Sequence, residues 1–318
     1  MQLRVGVASD RGLVRQTNED SYLIRRGLYA VCDGVGGARA GEVASEMACR
    51  GLLTIDPATA GPEELRKAIV EANLAIARRS LEEERLRGMG TTLTAALAKE
   101  RSLSLAHVGD SRAYLLHDSS LTQLTDDHSW VGEMVRRGEL TPAQAAVHPQ
   151  RSVITKALGT DGDVYPDVFE VPVEVGDRVM LCSDGLTGMV SDSVIAEILR
   201  RDEDPQAAAG LLVQAALDGG GEDNVTVVVV DVRRTEAEQP PSDGSGDEIL
   251  LGPSDRGVLS AARAGRGGRP GAGVRGRKTG TAEVANAKPH AWLAAFAPAE
   301  VVAVLVENAG TGAVSRPR

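Results

Sequence analysis

Aromatic side chains are nearly absent from this chain: two Phe, two Trp and four Tyr make up 3% of 318 residues. Proteins that bind single-stranded nucleic acid stack bases on aromatic platforms, and few such platforms can be built here. Positive charge is in deficit too, with a formal net charge of −10. Residues 236–318 hold 10 Lys and Arg against 9 Asp and Glu, leaving 25 against 36 on residues 1–235. An acidic body repels nucleic acid and anionic lipid, whose phosphates need Lys and Arg. Cysteine is limited to Cys32, Cys49 and Cys182. An odd set without C-x-x-C spacing excludes a disulfide framework and a cysteine zinc site. It reads instead as small buried apolar residues in a reducing cytosol. No run approaches the roughly 18 apolar residues of a membrane span. The nearest, Ala291 to Val306, is interrupted by Pro298 and Glu300, and the start, Met1 to Gly6, has no apolar signal core. The expectation is a cytoplasmic protein with no membrane span and no nucleic-acid partner.

What is present is a chain that is 42% apolar, enough to bury a sizeable core. Strand patterns fall at Leu3–Ala8, Leu28–Cys32, Thr91–Ala98, Ser102–Val108, Ala113–Leu116, Leu121–Leu124, Val164–Val171, Arg178–Cys182 and Val225–Val232. The last is a continuous β-branched run that suits a strand buried on both faces. Helical spacing marks residues 38–53, 62–86, 192–201 and 205–217. Residues 126–160 are polar, with short helices and a break at His148-Pro149. Strands in runs with helices in antiparallel pairs predict an α+β fold: a central sandwich of two sheets with helix pairs outside, four layers in the order αββα.

The acidic residues of the body follow a pattern. Asn18-Glu19-Asp20 precedes a strand, and Asp33-Gly34-Val35-Gly36-Gly37 ends the strand Leu28–Cys32. Gly109-Asp110-Ser111-Arg112 ends another, Asp184-Gly185 ends a third, and Gly221-Glu222-Asp223-Asn224 opens the last. One aspartate beside a glycine at a strand end is an ordinary turn. Several converging on one sheet edge repel each other and need a cation to compensate. An all-oxygen donor set selects Mg²⁺, Mn²⁺ or Ca²⁺, and a neighbouring glycine lets a main-chain carbonyl approach the ion.

Six motifs, in order, carry a resemblance: Arg15-Gln16-Thr17-Asn18-Glu19-Asp20, Asp33-Gly34-Val35-Gly36-Gly37, Gly90-Thr91-Thr92, Gly109-Asp110-Ser111-Arg112, Ser183-Asp184-Gly185 and Gly221-Glu222-Asp223-Asn224. Residues 5–232 resemble the protein phosphatase 2C family of metal-dependent serine/threonine phosphatases, and most its bacterial branch. The resemblance implies two Mn²⁺ or Mg²⁺ ions at one end of the sandwich. Asp33 would bridge them, the Gly34 carbonyl would bind the second, and Asp184 and Asp223 the first. Glu19 and Asp20 would act near the second ion, largely through water, and Arg15 would hold the substrate phosphate. Two ions about 4 Å apart lower the pKa of a bridging water and orient it for in-line attack on phosphorus. The implied partners are phosphorylated proteins, eukaryotic-like Ser/Thr kinases and their substrates among them.

Two positions depart from the family pattern. Where many members carry a histidine proposed as the leaving-group acid, this chain has Val35. A third ion that bacterial relatives hold with the aspartate of the GDSR turn, here Asp110, and an acid at the position of Gly188 would bind weakly, unless Asp192 or water substitutes. Residues 126–160 match the family's flap, where Trp130, Arg136 and Arg137 are candidates for contact with a phosphoprotein.

Composition divides the chain into a phosphatase domain (1–235), a disordered linker (236–277) and a tail (278–318). Seven basic residues and no acid fall between Arg256 and Ala282. The tail, with Lys278-Thr279-Gly280, Pro289-His290-Ala291-Trp292 and Phe296-Ala297-Pro298, resembles the end of a penicillin-binding transpeptidase domain. That chemistry needs a Ser-x-x-Lys nucleophile, and the sequence contains none. The tail therefore reads as a remnant. The alternatives to an active phosphatase are a non-catalytic phosphoprotein-binding module and a β-lactam-binding cell-wall protein.

Overall fold

The computed structural model describes residues 2–35, 40–160, 163–234 and 249–252, and the strands 277–282, 290–297 and 300–306. Along the first unit run β1 (Gln2–Asp10), β2 (Ser21–Arg25), β3 (Leu28–Cys32), β4 (Gly34–Val35), α1 (Gly41–Gly51), α2 (Pro62–Glu82), β5 (Gly90–Thr91), β6 (Leu93–Ala98), β7 (Ser102–Val108), β8 (Arg112–His117) and β9 (Ser120–Gln123). Then come α3 (Trp130–Arg136), α4 (Pro142–Ala146), β10 (Asp167–Pro172), β11 (Arg178–Cys182), α5 (Asp184–Thr187), α6 (Asp192–Arg201), α7 (Pro205–Asp218), β12 (Val225–Arg233) and β13 (Leu250–Gly252).

Two antiparallel sheets form the centre, in the orders β1-β12-β11-β8-β9 and β10-β7-β6-β3-β2-β13. The β-branched run of β12 explains itself once its two faces are separated. Val225, Val227 and Val229 pack under the helices of the first sheet, with Leu199, Leu212 and Ala216 of α6 and α7. Val228, Val230 and Val232 face the other sheet, against Tyr29, Val31 and Leu105. The period of two thus serves two cores, and every residue from Val225 to Val232 is buried. On the far side α1 and α2 lay Ala44, Ala48, Leu65, Ile69 and Ile76 over Leu28 and Ala30 of β3. Two sheets between two helix layers are the expected αββα sandwich.

Local sequence sets the element ends. Pro62 opens α2 at a position where its missing N–H costs nothing, and Glu64 reaches back to the Gly61 N–H at 2.8 Å. Thr141 and Gln144 form the same reciprocal cap on α4. The aspartate of Asp184-Gly185 opens a short helix rather than a bare turn.

The expected linker over 236–277 needs correcting at residues 249–252. Leu250, Leu251 and Gly252 pair antiparallel with Ile24, Leu23 and Tyr22, so β13 extends the second sheet beyond β2. Ile249 and Leu251 pack against the helix-side core and Leu250 against the inter-sheet core. The other residues expected in the linker, apart from Arg277, lie outside the described set, as do Gly36 and Gly37 of the Asp33 motif. A second unit, Ala262–Arg318, contains β14 (Arg277–Ala282), β15 (His290–Ala297) and β16 (Glu300–Val306) in one antiparallel sheet of that order. Gly280 is opposite Trp292, and Phe296 opposite Val301. Among the described residues no helix is long and apolar enough to cross a membrane.

Candidate metal centre

The acids predicted from the motifs gather at one end of the sandwich because the strands that deliver them are neighbours. β11 and β12 pair antiparallel, so Asp184, just after Cys182, lies beside Asp223, just before Val225. β2 and β3 pair with Ser21 opposite Cys32, which sets Asp20 next to Asp33. Burial and mutual repulsion then act together. The Asp33 carboxyl is pushed well above the usual carboxylate range by burial, with Asp20, Asp184, Asp110 and Asp223 adding to it. Asp184 is raised by burial and by Asp223, and shares a hydrogen bond with Asp33. Asp20 is fully buried and pushed up to about 7, first by burial. Asp110 is raised by burial and then by Asp184, and Glu19 by burial and then by Glu42.

A ring of small polar groups supports Asp20. Ser183 Oγ donates to Asp20 Oδ2 at 2.7 Å and accepts from the Thr226 N–H at 2.9 Å. The Thr226 and Ser9 hydroxyls meet at 2.7 Å, Asn18 Nδ2 donates to Ser9 Oγ at 3.0 Å, and Asn18 Oδ1 accepts from the Asp20 N–H at 3.2 Å. The other oxygen of Asp20, Oδ1, is buried without a hydrogen-bond partner. Sequence reasoning gave these supporting residues no roles. The available signal was polarity where apolar was due: Ser9 follows Val7 and Ala8 in β1, the Thr226 hydroxyl falls between two valines of β12, and Ser183 follows β11 directly.

Glycine lets the site close. A Cβ on Gly34 would run into the Gly41 carbonyl and the Glu19 oxygen, so only glycine lets β4, the start of α1 and the Glu19 turn meet. Arg15 supplies the local cation. Its Nη2 donates to Asp223 Oδ2 at 2.7 Å, with about half of the Arg15 side chain still exposed. That bond, more than any other influence, raises the Arg15 pKa.

The residues fit a hard divalent cation by the chemistry of the donors and by the orphaned Asp20 oxygen. They do not close on one point: among the described residues, no three carboxylate, imidazole or thiol groups stand close enough to form one ligand shell. Asp223 is turned to Arg15. Asp192, the candidate substitute for the missing acid at Gly188, accepts from the Tyr114 hydroxyl at 3.0 Å through Oδ1. Buried His107 and His128 are structural. His107 Nδ1 meets Thr94 Oγ1 at 3.0 Å, and His128 Nδ1 accepts from the Gly109 N–H at 3.1 Å. Trp130 stacks on His148 at 5.0 Å, while Arg136 and Arg137 border a cleft of about 440 Å³ shared with Lys156, Glu133 and Asp167.

Comparison with known proteins agrees with this geometry. The Protein phosphatase 2C family description matches residues 13–217. The serine/threonine protein phosphatase PstP of Mycobacterium tuberculosis is 48% identical over 233 residues, 72% of this chain. This chain spans 45% of that relative's length. The serine/threonine phosphatase stp of Listeria monocytogenes is 43% identical over 235 residues, 70% of this chain and 93% of the relative. A crystal structure of the PstP catalytic domain in complex with two manganese ions superposes with a TM-score of 0.67 at 44% identity, over 73% of this chain and 99% of that one. Matched by the family description over residues 13–217 and in overall fold by a solved relative at 44% identity, this chain belongs to the protein phosphatase 2C family.

Proposed function

We propose that this chain is a protein phosphatase that hydrolyses phosphoserine and phosphothreonine, using two Mn²⁺ or Mg²⁺ ions held by Asp33, the Gly34 carbonyl, Asp184 and Asp223, with Glu19 and Asp20 acting nearby. The observation that carries the reading is the uncompensated acid cluster, in which Asp20 and Asp110 are buried and Asp33, Asp184 and Asp223 partly buried. Asp33 and Asp184 share a hydrogen bond, Asp20 Oδ1 has no partner, and the charge of the group is unfavourable without a cation. Bound divalent ions would supply Lewis-acid stabilisation of the phosphoryl oxygens and an activated water.

The chain's own groups do the rest. The Arg15 fork is half exposed and spends Nη2 on Asp223, which leaves further N–H donors for two phosphoryl oxygens. Ser183 fixes one oxygen of Asp20 and leaves the other free to act. Val35 has no proton to give, so the leaving serine or threonine oxygen takes its proton from water or another group. Asp110 is the candidate for a weak third ion.

The substrates on this reading are phosphorylated proteins, including Ser/Thr kinases and their targets, and the setting is a bacterial cytosol. Cys32 and Cys49, buried thiols 3.5 Å apart that remain unlinked, suit a reducing compartment. The catalytic unit includes β13, so it runs through Gly252. A non-catalytic phosphoprotein-binding module would need a lost acid, and all of the predicted acids are present at the rim.

The test is Mn²⁺-dependent hydrolysis of p-nitrophenyl phosphate and of a phosphothreonine peptide, with Asp33→Asn as control. Hydrolysis that requires the metal and disappears in the variant is expected. Phosphopeptide binding without turnover in the wild type would favour the binding-module reading.

A further inference from the structure

Residues 11–20 connect β1 to β2 without regular structure, and such connections are usually the mobile parts of a fold. This one is fastened at both ends to the 221–224 turn. The Leu13 N–H donates to the Gly221 carbonyl at 2.8 Å. Gly12, at φ +77°, has its Cα against the Asp223 carbonyl, where a Cβ would collide. Asn224 makes three more. Its Nδ2 donates to the Arg11 carbonyl and to the Thr17 carbonyl, each at 2.9 Å, and its Oδ1 accepts from the Glu19 N–H at 2.8 Å. A carboxamide offers two N–H donors and one carbonyl acceptor, and here all three kinds of contact are made. The Asn224 main-chain N–H meanwhile donates to Asp223 Oδ1 at 2.8 Å.

What this arrangement holds is exposed. Leu13 and Val14 are 68% and 67% accessible. The Arg15 side chain is 54% accessible and returns to Asp223 Oδ2 at 2.7 Å. Asn224 itself is only 6% accessible. A buried amide that spends its whole bonding capacity on a surface loop adds little to the core, because the side chains it fixes are not in it. Its geometry serves whatever meets Arg15 from outside.

We propose that Asn224 is a positioning residue: one carboxamide closes residues 11–19 into a rigid clip and so fixes the Arg15 guanidinium at the acid rim for the substrate phosphate. The chemistry explains the residue type. Aspartate would turn a carboxylate toward the Arg11 and Thr17 carbonyls, two acceptors that it cannot satisfy. An apolar residue would leave three backbone groups without partners. The proposal rests on the phosphatase reading for the role of Arg15, and on the contacts alone for the clip.

The test uses the full chain in four forms: wild type, Arg15→Ala, Asn224→Ala and the double variant. KM and kcat are measured on a phosphothreonine peptide, and hydrogen exchange is followed across residues 11–19. Asn224→Ala should raise KM about tenfold, the worth of one charge-assisted contact, with a smaller change in kcat. Placed on Arg15→Ala it should raise KM no further, because it acts through that side chain. Exchange at Glu19 and its neighbours should quicken by an order of magnitude or more in Asn224→Ala, and stay near wild type in Arg15→Ala. Asn224→Ser keeps a small uncharged polar side chain and should follow the same pattern, which covers the case of an unstable alanine variant. Additive effects on KM, unchanged exchange, or a thermal loss with KM unmoved would overturn the proposal. A wild type without metal-dependent turnover would instead sink the phosphatase reading, and the exchange arm would then decide this one alone.

Discussion

β11 and β12 carry buried charge at both ends, and the two ends are built differently. At one end Arg178, opposite Asp231 in the ladder, donates Nε to Asp231 Oδ1 at 2.6 Å and Nη2 to Oδ2 at 3.0 Å. The rest of its fork goes to the Leu199, Asp202 and Glu203 carbonyls, and Arg233 adds a further donor to Asp231 at 2.8 Å. At the other end Asp184 and Asp223 meet Asp33, Asp20 and Asp110, and the half-exposed Arg15 is the cation bonded to the group. The first end is buried and satisfied within the chain; at the second Asp20 and Asp110 are buried, Asp33, Asp184 and Asp223 partly buried, and Asp20 Oδ1 has no partner. Buried charge that the fold itself compensates reads as architecture. Buried charge left over reads as a place for something the chain must bind.

The largest effects should come from neutralising the uncompensated end. Asp33→Asn or Asp184→Asn should lower kcat at least about a thousandfold, the several kcal/mol a metal contributes. The thermal midpoint of the metal-free chain should hold or rise, since a repelling charge is gone. The same substitution at the compensated end should do the reverse. Asp231→Asn or Arg178→Ala leaves one buried charge unpaired and should cost about 3–5 kcal/mol in denaturant unfolding. The kcat of the folded fraction should stay near wild type. Equal loss of kcat from both ends would erase the distinction.

A smaller effect sharpens it. Ending the chain after Arg234 removes β13, uncovers β2 and exposes the faces beneath Ile249, Leu250 and Leu251. Partial burial of three aliphatic side chains predicts a loss of about 2 kcal/mol, read as a lower urea midpoint, which ending the chain after residue 254 should avoid. Equal midpoints for the two truncations would show that β13 contributes nothing.

The pH dependence of the metal-free chain should be modest and of unusual sign. Asp20 is raised from 3.8 to about 7 in the folded state, and Asp33, Asp184 and Asp110 are raised as well. A raised folded pKa gives stability that is complete below the unfolded value and is lost as pH climbs through the folded one. The thermal midpoint should therefore fall between about pH 4 and pH 7 without metal, and the fall should shrink in Asp33→Asn. Ion-paired carboxylates would give the opposite slope. The smallest effect concerns Gly188. A Cβ there meets only the Asp184 carbonyl, at 3.1 Å, so Gly188→Asp fits with a slight shift. It should tighten the Mn²⁺ dependence of turnover, and an unchanged titration would remove Asp110 from a third site.

The sequence was most legible where one residue type met one environment. β12 announced itself because six β-branched positions in a row, Val225 to Val230, suit a strand buried on both faces, and both of its faces are buried. The acids were legible because they end or open strands, usually beside glycine, and strand pairing brings such ends together. β13 was hidden because three paired residues carry no periodicity, and a short Ile-Leu-Leu run inside a polar stretch gives no strand signal by itself. Ser183, Thr226 and Asn224 were visible as letters but silent as roles. Their meaning lies in hydrogen bonds to residues far away in the chain, such as Ser183 to Asp20 and Asn224 to Glu19. Likewise nothing in the spacing of Asp192 reveals that it is bound to Tyr114.

The most direct measurement is the thermal midpoint of the full chain at neutral pH with and without Mn²⁺, for the wild type, Asp33→Asn and Asp231→Asn. A cation that satisfies the acid rim binds the folded chain and not the unfolded one, so it must raise the midpoint. The account predicts a clear Mn²⁺-dependent rise in the wild type, the same rise from a lower start in Asp231→Asn, and little or none in Asp33→Asn. A wild type indifferent to Mn²⁺, or an Asp33→Asn chain stabilised as much as the wild type, would contradict it.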